Sequence, residues 1–211
     1  MRAVFLHFSL LILTVLASGC GQPEAIKIEN LIVKEPTGED TAVTFEWTGD
    51  IDPPMANAFN AAFNEWKDHK ERIIIDLHSP GGSVDEGERV IEVINKIKKT
   101  HSVQTFVGSG NECLSMCVPI YMQGSLRVAA TDSVWMFHEG HLVDSLTGKR
   151  RFVYNHESKQ AAMETFNRFF TRSKMNKKWV KNLRSKLQYG EVWKSGQDLK
   201  DERSNIVMIL E

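Results

Sequence analysis

The sequence predicts an α/β fold of repeated β-β-α or βαβ units with a largely parallel sheet. Three observations carry that expectation. Strand-like segments alternate with helix-like ones along most of the chain. One of them, RIIIDL at 72–77, is a continuous apolar run, as expected of a strand covered on both faces. Between such segments, apolar residues recur at helical spacing and give each helix one buried face. At 211 residues, 42% hydrophobic and 25% charged, the chain fits one globular domain with an ordinary core. Its formal net charge of −1 gives no reason to expect a nucleic-acid partner.

The first twenty residues stand apart. MRAVFLHFSLLILTVLASGC has one basic residue, Arg2, then an apolar run to Leu16, then small residues. The run is short for a membrane span and reads as a secretory signal. LASGC resembles a bacterial lipobox, which makes Cys20 the candidate lipidation site. An ordinary cleaved signal and an uncleaved anchor are the alternatives. Gly21 follows Cys20, and with no Asp there the lipobox resemblance favours sorting to the outer membrane.

GQPEA at 21–25 reads as a tether, and IKIENLIVK at 26–34 as a strand at an edge. EPTGED is a loop, TAVTFEW a strand by its alternation. Pro53 and Pro54 precede a helix with Met55, Phe59, Ala62, Phe63 and Trp66 on one face. Strand 72–77 leads through HSPGGSV into a helix marked by Val90, Val93, Ile94 and Ile97. SVQTFV at 102–107 is the next strand, GSGNE a loop, and CLSMCVPIYM a short buried helix. LRVAA and SVWMFH are strands. Two helices follow, one over 152–173 with Ala162, Phe166, Phe169 and Phe170, one with Trp179, Val180, Leu183 and Leu187. IVMIL at 206–210 closes the chain as a strand.

Four places along this order can carry chemistry. Gly81 and Gly82 lie where a strand hands over to a helix. They are either a plain turn or a place where backbone N–H groups hold a negative oxygen. Ser115 is either a helix N-cap or a nucleophile served by the N–H of Met116. His138 ends a strand, where a histidine is either structural or a base that titrates near neutral pH. HEGH, with His138, Glu139 and His141, lacks the spacing that sets two histidines on one helical face, so no metal is expected. Cys113 and Cys117 bracket Ser115. They either pair and pin its segment or stay reduced as small buried hydrophobes.

Taken together, these segments resemble the Clp-type serine peptidases of the ClpP/crotonase fold. IIIDLHSPGGSVDEGERVIEVI matches the family's strand, SPGGS turn and helix. LSMCVPIYMQG resembles its nucleophile segment, and SVWMFHEG the segment that delivers its histidine. The resemblance spans 42–210 and is strongest over 73–138. It is closest to secreted or periplasmic members with a C-x-S-x-C segment such as CLSMC.

The resemblance implies Ser115 as nucleophile and His138 as general base, with the N–H groups of Gly82 and Met116 as the oxyanion hole. In the family an Asp stands before an aromatic and a Ser. EVWKS puts Glu191 there, with Trp193 and Ser195 following, and Asp198 and Asp144 are the fallbacks. Cys117 stands where the peptidases usually have Gly. A lysine base has no matching segment.

Three domains are expected: a signal at 1–20, a tether and edge strand at 21–41, and a ClpP-like domain at 42–211. The implied activity is cleavage of peptide or protein substrates through an acyl-enzyme, in the periplasm, with a lipid anchor on the membrane and no cofactor. A homo-oligomer is compatible with the family, and no ATPase partner is expected where ATP is lacking. The rival readings are a degenerate peptide-binding protein and a thioester hydrolase of the same fold. Residues 168–186 hold eight basic residues and no acidic ones. They form either a solvated face or an attraction to anionic headgroups.

Overall fold

The computed structural model describes residues 29–36, 42–68, 72–138, 142–143, 150–151, 160, 164–171 and 173–211. The signal at 1–20 with Cys20, the tether, Glu139, His141 and Asp144 lie outside the described residues. The main sheet has six strands: β1 (Leu31–Lys34), β2 (Val43–Thr48), β3 (Arg72–His78), β4 (Ser102–Val107), β6 (Leu126–Ala129) and β11 (Ile209–Leu210), in that order. β2 to β11 are parallel, and β1 closes one edge antiparallel to β2. The protein is therefore a mixed α/β fold with a mostly parallel central sheet.

Helix α1 (Met55–Trp66) connects β2 to β3, and α2 (Val84–Ile97) connects β3 to β4. Side chains alternate across each strand. Ile73, Ile75 and Leu77 are fully buried, while Ile74, Asp76 and His78 are half-buried. The apolar run of β3 thus has one deeply buried face, where covering on both was expected. Phe59 of α1 meets Phe45 and Trp47 of β2, with ring centroids 6.1 and 6.0 Å apart. Each such buried ring contributes on the order of 2–3 kcal/mol. Ser83 caps α2 by accepting from the Glu86 N–H at 3.2 Å. The buried Glu86 carboxylate in turn accepts from the Ala56 N–H at 2.8 Å, tying the starts of α1 and α2 together.

A second sheet carries the chain past the first. Its strands are β10 (Val192–Ser195), β7 (Val134–Phe137) and β5 (Glu112–Leu114), with β5 parallel and β10 antiparallel to β7. The two sheets meet where Ser79, just beyond β3, pairs with Cys113 of β5. The Ser79 N–H donates to Glu112 O at 2.7 Å, and the Leu114 N–H to Ser79 O at 3.0 Å. The segment expected to be one helix is therefore strand, turn and helix, with α3 (Cys117–Tyr121) starting after Met116. Three residues of strand leave too little alternation to read.

A two-stranded pair, β8 (Leu142–Val143) and β9 (Arg150–Arg151), follows. The expected helix over 152–173 is described from 164 and becomes a π-helical turn at Asn167–Thr171. Helices α4 (Lys177–Leu187) and α5 (Gly196–Asp201) complete the fold. Of IVMIL, only Ile209 and Leu210 pair as strand, while Ile206 and Val207 are buried. Among the described residues, no helix is long and apolar enough to cross a membrane.

Candidate active site

Two strand-to-helix junctions face each other. The first runs from Ser79 to Ser83. Gly81 and Gly82 have φ of 94° and 153°, in a region that side chains resist. Gly81 O accepts from the Ile51 N–H at 2.8 Å, and the Ser83 N–H donates to Ile51 O at 2.8 Å. The Gly81 N–H is taken by Ser79 Oγ at 3.1 Å. A Cβ on Gly81 would lie 2.7 Å from Ser115 Cβ and 2.8 Å from Leu114 O, so the two junctions touch.

The second junction holds Ser115. Its φ of 51° is left-handed, which costs a non-glycine residue on the order of 1–3 kcal/mol. Such a strand–turn–helix bend lifts a side chain out of the surrounding backbone. The Ser115 N–H donates to Met136 O at 2.9 Å and Ser115 O accepts from the Val118 N–H at 3.1 Å. Ser115 does not act as the cap of α3. Met116 occupies that place and makes no side-chain cap bond. The Met116 side chain lies against α2 at Gly87, where a Cβ would come within 2.4 Å of its Cε. Among the described residues, neither the Gly82 N–H nor the Met116 N–H donates to a protein acceptor.

β7 delivers His138, whose Nε2 lies 2.6 Å from Ser115 Oγ. This is hydrogen-bond reach for a base that takes the hydroxyl proton. Cys113 and Cys117 form a disulfide, with Cα atoms 5.1 Å apart, across the turn that carries Ser115.

The candidates for third member separate. The β10–β7 pairing ends at Val192 and Phe137, and Glu191 and His138 are the residues that follow at that end. Its exposed carboxylate accepts from the Trp193 indole N–H at 3.2 Å. Asp198 is engaged elsewhere, in a reciprocal cap with Ser195 at the start of α5. The Ser195 N–H and hydroxyl hold its carboxyl below the ordinary carboxylate range.

Beside Ser115 and His138 lies an open apolar cleft. Val84, Met116, Pro119, Phe166, Phe169 and Phe170 line it. Phe166 stacks on Phe170 at 5.0 Å, and Phe170 meets Phe137 edge-on at 6.2 Å. Arg168, on the same π-helical turn, pairs with Glu88 of α2 at the surface. Arg168 is thus one basic residue of 168–186 with an internal partner. The phenylalanine stripe was visible in the sequence, but a stripe at helical spacing reads the same whether it faces a core or a cleft.

The chain matches the family model for Clp protease over residues 45–150, half of its length, and it belongs to that family. Among solved structures it is similar to a point variant of ClpP1 from Listeria monocytogenes, with a TM-score of 0.58 and 15% identity, over 80% of this chain and 90% of that one. It is also similar to a variant of the 1510-N membrane-bound stomatin-specific protease, with a TM-score of 0.61 and 16% identity, over 81% and 77% of the two chains. At such identities the likeness shows the fold. No curated protein matches the sequence.

Proposed function

We infer that the protein is a serine peptidase that works outside the cytoplasm. The observation that carries this reading is the 2.6 Å approach of His138 Nε2 to Ser115 Oγ, beside two backbone N–H groups that no acceptor among the described residues takes. Ser115 Oγ attacks the scissile carbonyl while His138 takes its proton. The N–H groups of Gly82 and Met116 hold the developing oxyanion. His138 then protonates the leaving amine, and water, activated by the same histidine, releases the acyl group. One oxyanion donor supplies about 3–4 kcal/mol of transition-state stabilisation. Glu191 is the carboxylate assigned to orient the imidazole.

The phenylalanine-lined cleft beside Ser115 fits a large apolar side chain on the acyl side of the cleaved bond. One methylene more or less in the side chain such a pocket takes changes discrimination by about 10- to 200-fold. The disulfide supports an oxidising compartment, and the leader supports export with a lipid on Cys20 as membrane anchor. Peptide binding without cleavage is the second reading, favoured by the Glu191 carboxylate resting on Trp193.

The test is hydrolysis of fluorogenic peptides carrying Phe, Leu or Asp before the reporter. Turnover of the Phe and Leu peptides, lost in His138→Ala, supports the reading. Tight binding with no turnover supports the second. For the anchor, metabolic lipid labelling is expected in the wild type and absent in Cys20→Ser, and labelling that persists in the variant removes it.

A further inference from the structure

The Cys113–Cys117 disulfide takes no part in acyl transfer, yet it closes directly over the nucleophile. Cys113 belongs to β5 and Cys117 is the first residue of α3, four positions on, with Ser115 midway. Both cysteines are fully buried. A residue at left-handed φ stays there only when its surroundings over-determine it, and the surroundings of Ser115 are unequal. On the strand side, Leu114 and Ser115 are held by Ser79 and Met136 through bonds of 3.0 and 2.9 Å. On the helix side stands α3, five residues long, held by its buried side chains and by no strand pairing. That side carries the Met116 N–H. The disulfide ties the packed side of the turn covalently to the strand-paired one.

We propose that this disulfide positions Ser115 Oγ against the Met116 N–H, so that peptidase activity belongs to the oxidised protein alone. The proposal rests on Ser115 being the nucleophile. Reduction by a dithiol breaks the S–S bond with two electrons. Each sulfur leaves as a thiol, and the dithiol becomes a cyclic disulfide. The turn then relaxes and the oxyanion donor drifts from the attacking oxygen. A chain still in a reducing compartment is silent. After export, thiol–disulfide exchange with an oxidised carrier disulfide, which leaves as the reduced dithiol, forms the bond and switches the chain on. Cys113 and Cys117 are positioning residues in this account.

The experiment compares oxidised wild type, dithiol-reduced wild type and the Cys113→Ala/Cys117→Ala double variant. It measures kcat and KM on an apolar fluorogenic peptide, thermal melting, and hydrogen exchange at the Met116 amide. The expected result is that both disulfide-free forms melt cooperatively above the assay temperature, with kcat about 100-fold lower and KM within about twofold. Reoxidation restores the wild type and leaves the variant unchanged. A folded double variant with wild-type kcat overturns the proposal. So does unfolding of both disulfide-free forms at the assay temperature, because the bond then holds the fold and not the turn. If oxidised wild type neither cleaves peptide nor reacts with a serine probe, the peptidase reading fails by itself. Exchange at Met116 then decides: acceleration on reduction supports the positioning role, and unchanged exchange overturns it.

Discussion

The two junctions at the cleft do the same structural job by different means. Each turns a strand end into a helix and carries a backbone N–H that no acceptor among the described residues takes. At Ser79–Ser83 the unusual dihedrals fall on Gly81 and Gly82, where they cost little. At Leu114–Cys117 the left-handed residue is Ser115 itself, where they cost more, and a disulfide and two sheet contacts hold it. Glycine serves where only backbone must reach the site. Where a side chain must react, the fold accepts strain and stabilises it from outside.

The largest effect expected from this contrast is at Ser115. Ser115→Gly removes the nucleophile and the strained side chain together. Peptide turnover should fall about 10⁴-fold or more, while stability to denaturant rises by about 1 kcal/mol. A variant no more stable than wild type removes strain from the account. Gly81→Ala probes the other junction. Its Cβ would meet Ser115 Cβ at 2.7 Å in a backbone conformation that alanine resists. The expected cost is about 100-fold in kcat/KM and a few kcal/mol in stability. A mild effect on both would mean that the junctions are less tightly opposed than 2.7 Å implies.

Glu191→Gln should lower kcat/KM about tenfold if the carboxylate orients His138. Unchanged kinetics would remove Glu191 from the orienting role.

The smallest effect lies away from both junctions. Burial, and then the Glu46 carboxylate on the neighbouring strand, push Asp76 up from 3.8 to about 6. One of its oxygens is buried without a hydrogen bond. The folded state therefore favours the protonated acid. Stability from this group is full below pH 3.8 and is lost as pH rises through about 6. Asp76→Asn should remove that slope and stabilise the protein at pH 8 by about 1–2 kcal/mol, allowing for its partial exposure. Denaturant titrations across pH 3.5–8 read it, with peptide turnover unchanged.

The legible parts of the molecule were those with local causes. RIIIDL, SPGGS and the apolar positions from Val90 to Ile97 encode strand, junction and helix within a short stretch. Ser115 and His138 alone read as a cap and a structural histidine, and the family resemblance joined them. What was hidden depends on distant partners. β5 exists because Ser79 and β7 pair with it. Glu191 was named from the EVWKS resemblance, but its place at the end of the β10–β7 pairing, next to His138, depends on that distant register. The cysteines at 113 and 117 allowed a bond or two thiols, and the turn between them decided it. The pocket was hidden because Phe166, Phe169 and Phe170 follow the rule for any amphipathic helix.

The central claim is that His138 activates Ser115 in a formed oxyanion site. Fluorophosphonate labelling of the oxidised protein, with mass spectrometry to locate the adduct, tests it most directly. The account expects one adduct, on Ser115, formed rapidly by wild type and at least about 100-fold more slowly by His138→Ala. No adduct on folded wild-type protein, or one that forms equally fast without His138, would contradict it.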